Sequence, residues 1–307
     1  MMLMVRELRG ILSAMCTPFT PDGSRIDEEA LRDLVDGTIE AGVHGLVPCG
    51  STGEFAALTT DERKRATAIV LEQARGRVPV APHVGSTSTA VAVDLATHAE
   101  RVGADAVMAV NPFYEPMSLD EVYGYFKTIS DAVSIPIVVY NLPVATGMNL
   151  RPDFLARMAR EIKNVRYVKD STGDLSQVSE LLYRYGQEVT VFNGWDTITF
   201  SGLALGSKGS VWGAVNVMPK QCADLFNLIE SERLGDARAL WERMWPVMQF
   251  LVTEGYVASV KAGANLVGFR VGKPRPPIRP LSAQKTDELK SLLINAGARK
   301  EVTSLRG

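Results

Sequence analysis

An α/β fold, a (β/α)8 TIM barrel with a C-terminal helical extension, is what the sequence predicts, on three observations. Short β-rich runs recur with helical patterns between them. The runs are continuously apolar rather than alternating, as parallel strands covered on both faces require. A glycine repeatedly separates a helical pattern from the next strand: Gly42, Gly103 and Gly206 each stand two or three residues before one, where a left-handed helix cap belongs.

Eight strand candidates begin near Gly10 (GILSAMC), His44 (HGLVPC), Val78 (VPVAPHV), Asp105 (DAVMAV), Ile135 (IPIVVY), Val165 (VRYVK), Val189 (VTVFN) and Gly209 (GSVWG). Eight βα units in about 220 residues match such a barrel, with an open doubly wound sheet as the alternative. Thr59 with Glu62, and Ser118 with Glu121, have capping-box spacing and start helices. Between Asp27 and Glu40, Leu31, Leu34, Val35 and Thr38 or Ile39 share one face. The barrel is expected over residues 1–222 and the helical extension, packed on it, over 223–307. In the extension, "DARALWERMWPVMQFLVTEG" is apolar on more than one face and should be buried against the barrel or a neighbouring subunit. "GKPRPPIRP" reads as an extended segment before the last helix.

The 307 residues are 46% hydrophobic and carry a net charge of −2, which gives no electrostatic reason to expect nucleic acid or an anionic membrane as partner. Three widely spaced cysteines, Cys16, Cys49 and Cys222, suit a reducing compartment. The apolar start at residues 1–5 is too short for a signal peptide, and the chain reads as cytoplasmic.

In such barrels the chemistry sits at the C-terminal strand ends. There the sixth predicted strand ends in Lys169, in "VKDSTGD", on the face expected to carry Val165 and Tyr167. The fifth ends in Tyr140, on the face of Pro136 and Val138. If both faces point inward, an amine and a phenol meet over an apolar barrel. Apolar surroundings disfavour the charged form of a lysine, and a neutral lysine attacks a ketone to form a Schiff base. The protonated imine is an electron sink that lets a neighbouring carbon–carbon bond form or break, and a phenol can move the protons. "PCGSTGEF" ends the second strand; Gly50 and Gly53 would form a tight turn exposing the N–H groups of Ser51 and Thr52 to a carboxylate or phosphate. Gly206, Gly209 and Gly213, around the last two strands, offer an alternative phosphate site. Asp170 could be a charge partner of the lysine or a solvated loop acid, Trp212 could wall the pocket, and Cys49 reads as packing. His44, His83 and His98 lie on separate elements, which argues against a zinc-dependent aldolase.

Taken in order, "GILSAMCTPFTPDG", "GSTGE", "NPFYEP", "YNLPVATG", "VKDSTGD" and "FNGWD" resemble the dihydrodipicolinate synthase / N-acetylneuraminate lyase family of Schiff-base pyruvate aldolases over nearly the whole chain. The resemblance implies a lyase that needs no cofactor and no metal and works on pyruvate and an aldehyde as a homotetramer. It implies Lys169 as the Schiff-base lysine, Tyr140 as the proton relay, and Ser51 and Thr52 as the carboxylate site, with Thr52 linked to Tyr140. It further implies Tyr114 as a residue passed into a neighbouring subunit's relay, and Gly194, Asp196 and Ser171 as substrate-binding residues. Synthases of the family usually carry Arg where this chain has Ala145, to hold the carboxylate of aspartate semialdehyde; sialic acid lyases carry Glu where it has Thr197 and a Ser where it has Gly213. The reading is therefore an aldolase for a 2-oxo-3-deoxy sugar acid or sialic-acid-like compound. A synthase-type condensation, a dehydratase using the same lysine, or a non-catalytic sugar-acid-binding regulator are the alternatives.

Overall fold

The computed structural model describes residues 6–298; the apolar start at residues 1–5 lies outside them. Seven parallel strands form one sheet: β1 (Gly10–Ala14), β2 (Gly45–Val47), β3 (Val107–Val110), β4 (Ile137–Asn141), β5 (Val165–Asp170), β6 (Thr190–Asn193) and β7 (Gly209–Trp212), in the order β2-β1-β7-β6-β5-β4-β3. The helices around them are α1 (Glu28–Glu40), α2 (Thr60–Ala74), α3 (Thr89–Arg101), α4 (Leu119–Ala132), α5 (Pro143–Thr146), α6 (Pro152–Glu161), α7 (Leu175–Tyr185), α8 (Thr199–Ala204) and α9 (Pro219–Glu230). Three more follow: α10 (Leu234–Thr253), α11 (Tyr256–Leu266) and α12 (Ala283–Asn295).

The third expected strand, "VPVAPHV", is an extended segment rather than a full strand. Pro79 and Pro82 have no N–H to give a ladder, so only isolated bridges form, Leu46 with Val80 and His83 with Met108. The segment nevertheless fills the gap between β2 and β3. Leu46 N–H donates to the Pro79 carbonyl at 3.0 Å, and Met108 N–H to the Pro82 carbonyl at 2.9 Å. The ring closes, and the open-sheet alternative is set aside.

Leu12, Val47, Ala81, Met108, Val138, Tyr140, Tyr167, Phe192 and Val211 pack together inside the ring. One expected alternation fails. Val165 faces the outer helices, because the register slips between β4 and β5: Ile137 pairs with Val165 but Val138 pairs with Tyr167. Arg166 is the extra residue, a bulge that turns Tyr167 and Lys169 inward.

Gly42, Gly103 and Gly206 all have positive φ, at 90°, 95° and 107°. Both capping boxes form, and α1 buries Leu31, Leu34, Val35 and Thr38. Residues 222 and 223 both fall inside α9, which packs on β1 and α8. Beyond it, α10 buries Met244, Val247, Met248 and Leu251 in the larger outer core, while Trp245 stays exposed. No helix among the described residues is long and apolar enough to cross a membrane.

Where β1 and β7 meet, a Cβ on Gly209 would stand 1.9 Å from the Gly10 carbonyl oxygen. Gly209→Ala should therefore cost at least about 1–3 kcal/mol of unfolding free energy. Gly235→Ala, in open space on α10, should leave stability unchanged or slightly raised; paired urea melts check both.

Candidate active site

A cavity of about 290 Å³ opens at the C-terminal ends of the strands. Ala14 and Val211 form its floor, and Ser51, Thr52, Tyr140, Lys169, Gly194 and Asp196 converge on it from four separate segments. Of the eight residues singled out from sequence, these six share one space.

Lys169 is carried in by β5 directly opposite Tyr140 of β4. It is 5% exposed, and its Nζ lies 4.0 Å from the centre of the Tyr140 ring. Gly194 makes room for it. A Cβ there would stand 2.7 Å from Lys169 Cε and 2.1 Å from Ser171 Oγ, so any other residue would push the amine aside. Asp170 points the other way. It is buried and accepts from Gln177 Nε2 at 2.9 Å, Asn141 Nδ2 at 3.2 Å and the Thr172 N–H at 3.1 Å. It is neither a solvated acid nor the lysine's partner, but the anchor of the loop that follows.

The "GSTGE" turn differs from its expected form. Its left-handed residues are Cys49 and Glu54, at φ 59° and 57°, not the glycines. Gly53 is needed for space instead: a Cβ would lie 2.9 Å from the Met15 carbonyl oxygen. Gly50 has no such constraint. Glu54 N–H and Phe55 N–H bond back to the Ser51 and Gly50 carbonyls. Among the described residues no protein group accepts from the Ser51 or Thr52 N–H. Glu54 itself is buried, and its Oε1 lies 2.8 Å from Lys261 Nζ on α11. Its Oε2 accepts from the Arg275 N–H at 2.8 Å. Burial pulls the Lys261 ammonium down and the Glu54 charge opposes that. The turn is thus pinned from the C-terminal helices.

Asp196, just after "FNGW", is 5% exposed. The hydroxyl of Tyr256, first residue of α11, donates to its carboxylate, 2.8 Å from Oδ2 and 3.1 Å from Oδ1. Burial pushes the Asp196 carboxyl up to about 6, opposed by the Tyr256 bond and the Lys169 charge; burial also raises Tyr256 well above an ordinary phenol. Gly213 leaves the gap this hydroxyl occupies, since a Cβ there would lie 2.2 Å from Tyr256 Oη and 3.1 Å from Thr52 Oγ1. Tyr256 and Val252, neither singled out from sequence, also line the cavity, as does Trp195. No local motif marks the first two.

The remaining candidates lie elsewhere. Ser171 is outside the cavity; its Oγ donates to the Gly194 carbonyl at 2.8 Å and braces that loop from behind. Tyr114 is 84% exposed and stands clear of its own chain's cavity. No hydrogen bond joins Thr52 to the Tyr140 hydroxyl among the described residues. Trp212 turns into the helical layer beside Trp241, ring centres 6.1 Å apart, and its neighbours Val211 and Gly213 face the cavity instead. Gly206 and Gly209 sit at or before the start of β7, at the opposite end from the cavity, so no phosphate site forms with Gly213. His83 is buried beside the Cys49 carbonyl, 3.1 Å from its Nδ1, and burial holds it well below the usual histidine range. Burial pushes the Cys49 thiol up to about 11, which suits packing and not nucleophilic attack.

A closed parallel barrel with a buried lysine at its catalytic mouth is the architecture of lysine-dependent, aldolase-type lyases. Comparison with known proteins narrows the class. The profile of the Dihydrodipicolinate synthetase family matches residues 7–296. The 4-hydroxy-tetrahydrodipicolinate synthase of Methanopyrus kandleri is 37% identical over 92% of this chain and 94% of its own. That of Pelobacter propionicus is 39% identical over 89% and 93%. Among solved structures, dihydrodipicolinate synthase from Aquifex aeolicus superposes with a TM-score of 0.90 at 30% identity, covering 95% of this chain and 99% of that one. YagE from E. coli K12, solved in complex with pyruvate, gives 0.91 at 28%, covering 96% and 100%. The chain belongs to the dihydrodipicolinate synthetase family and is a lyase of its Schiff-base pyruvate aldolase type.

Lys261→Met should cost about 3–5 kcal/mol by leaving Glu54 buried and unpaired. Adding Glu54→Gln should recover part of that loss in the same denaturation assay; equal stability of single and double variants would contradict the pairing.

Proposed function

We propose that this chain joins pyruvate to an aldehyde, and releases it in the reverse direction, through a Schiff base on Lys169. This is the synthase-type reaction that the names of its relatives suggest. The observation that carries the reading is the buried Lys169 amine over the Tyr140 ring, in one cavity with Ser51 and Thr52. The pyruvate carboxylate would take the free N–H groups of Ser51 and Thr52. Lys169 would then attack the C2 carbonyl; water leaves, and the iminium forms. Tyr140 would move the methyl proton whose loss turns the iminium into a nucleophilic enamine. Tyr114, exposed on its own chain, would complete the relay of a second copy in a homotetramer. Three free, buried cysteines fit work in a reducing compartment such as the cytoplasm.

The second substrate is best read as an uncharged aldehyde. Among the described residues Lys169 is the sole cationic side chain lining the cavity, and Ala145, on α5, is exposed and too short to hold a carboxylate. A carboxylated aldehyde would meet no charge partner there, and losing such a pairing weakens transition-state binding. That favours the aldehyde half of a neutral-tailed 2-oxo-3-deoxy acid over aspartate semialdehyde.

Borohydride added with pyruvate should fix an adduct on Lys169 that Lys169→Ala cannot form; an intact native protein that takes up none would overturn the reading. Tyr140→Phe should lower turnover by about 10²–10⁴-fold. Assayed for pyruvate consumption or release, neutral aldehydes and their 2-oxo-3-deoxy adducts should be turned over at least about tenfold better than aspartate semialdehyde, the discrimination that roughly 1.4 kcal/mol of lost charge pairing would give. The opposite order would restore the aspartate semialdehyde assignment.

A further inference from the structure

The pyruvate reading gives work to Lys169, Tyr140, Ser51 and Thr52, but none to the pair on the far wall of the same cavity. Asp196 and Tyr256 are built into that wall with care. The hydroxyl of Tyr256 reaches the carboxylate at 2.8 Å, and Gly213 is bare where any side chain would evict it. Thr52 Oγ1 and Tyr256 Oη both lie within 3.1 Å of the point a Gly213 Cβ would occupy, so the hydroxyl stands where the carboxylate site meets the space for the second substrate. A buried carboxylate with one phenol donor costs more than it returns as a packing element. Residues that only filled space here would be apolar, like Val211 and Val252 around them.

We propose that Tyr256, backed by Asp196, handles the proton on the aldehyde half of the reaction. This rests on the pyruvate reading above. As the enamine carbon on Lys169 attacks the aldehyde carbon, the carbonyl electron pair moves onto oxygen. That oxygen takes the Tyr256 hydroxyl proton, and protonated Asp196 returns a proton to Tyr256. The products are a hydroxyl on the former aldehyde carbon, an Asp196 carboxylate and a Lys169 iminium, which water hydrolyses to the 2-oxo acid and the free amine. Cleavage runs the same transfers backwards. Asp196 acts through Tyr256 and is its positioning residue.

The surroundings support such a proton store. Asp196 faces Tyr256 on α11, Lys169 on β5, Cys222 on α9 and the Trp212 indole on β7; Tyr256 in turn faces Tyr140 and Cys16. Lys169 is the one positive charge among these groups. Burial outweighs it and holds the Asp196 carboxyl at about 6, so both protonation states are populated near neutral pH. The donor form is present below that value and lost above it, so the condensation rate should fall as pH rises through about 6. Removing the Tyr256 hydroxyl cuts Asp196 off from the reacting oxygen, so the fall with pH should be lost with it.

The test separates the two halves of the reaction in Tyr256→Phe and Asp196→Asn. Deuterium exchange at the methyl of pyruvate in D2O reads enamine formation alone. Condensation of pyruvate with D-glyceraldehyde, and with aspartate semialdehyde, reads the second half. Both variants should still exchange pyruvate, while condensation falls about 10²-fold, the usual yield of one positioned proton donor. The pH limb should vanish in both variants, in Tyr256→Phe because Asp196 has lost the group it acts through and in Asp196→Asn because the titrating group is gone. Condensation within twofold of native, a limb near pH 6 kept in either variant, or exchange lost in step with condensation would each overturn the assignment. So would a native protein that exchanges pyruvate yet condenses neither aldehyde. A native protein that exchanges no pyruvate at all would sink the Schiff-base reading instead.

Discussion

Closure of the parallel sheet is the constraint on which everything else depends. A ring of parallel strands gathers every C-terminal strand end at one mouth, and only in that geometry do residues as far apart in the chain as Thr52, Tyr140, Lys169 and Asp196 share a cavity. Closure rests on a weak-looking segment. Between β2 and β3 the chain has prolines at 79 and 82, which cannot donate, yet their carbonyls accept from Leu46 and Met108 and complete the ring. The same ring places Lys169 above an apolar interior of Leu12, Val138, Tyr167, Phe192 and Val211.

The C-terminal helices are part of the site and not an appendage to it. On α11, Lys261 grips the turn that carries Ser51 and Thr52 through the buried Glu54 carboxylate, and Tyr256 grips the loop that carries Asp196. Two loops from strands three places apart in the ring are therefore indexed to one helix. A buried ion pair is a poor source of net stability, but breaking one side of it is expensive. It therefore punishes misplacement of the turn more than it rewards folding. What that property serves is positional precision of a turn that lines the cavity.

Two missing side chains do as much as the ones present. Gly194 lets the Lys169 stem pass, and Gly213 lets the Tyr256 hydroxyl reach Asp196 beside Thr52. Neither glycine is at positive φ. Their role is room, not backbone freedom, and an alanine at either would collide with a functional group.

Periodicity, caps and strand-end chemistry determined most of this protein from sequence alone. The helical faces, the glycine joints before strands and the capping boxes are local effects of a few neighbouring residues, so the chain itself carries them. Lys169 and Tyr140 were legible for the same reason: each ends an apolar run, and a strand's two-residue period assigns its face. What failed was whatever depended on pairing between distant segments. The bulge at Arg166, which turns Val165 outward, exists only in the register of β4 against β5. Ser171 and Asp170 look like site residues until their partners, Gly194 on one side and Gln177 on the other, are in place. Tyr256 carries no motif at all. Only the docking of α11 over the barrel mouth, 60 residues along the chain from Asp196, makes a tyrosine at a helix start into a wall of the cavity.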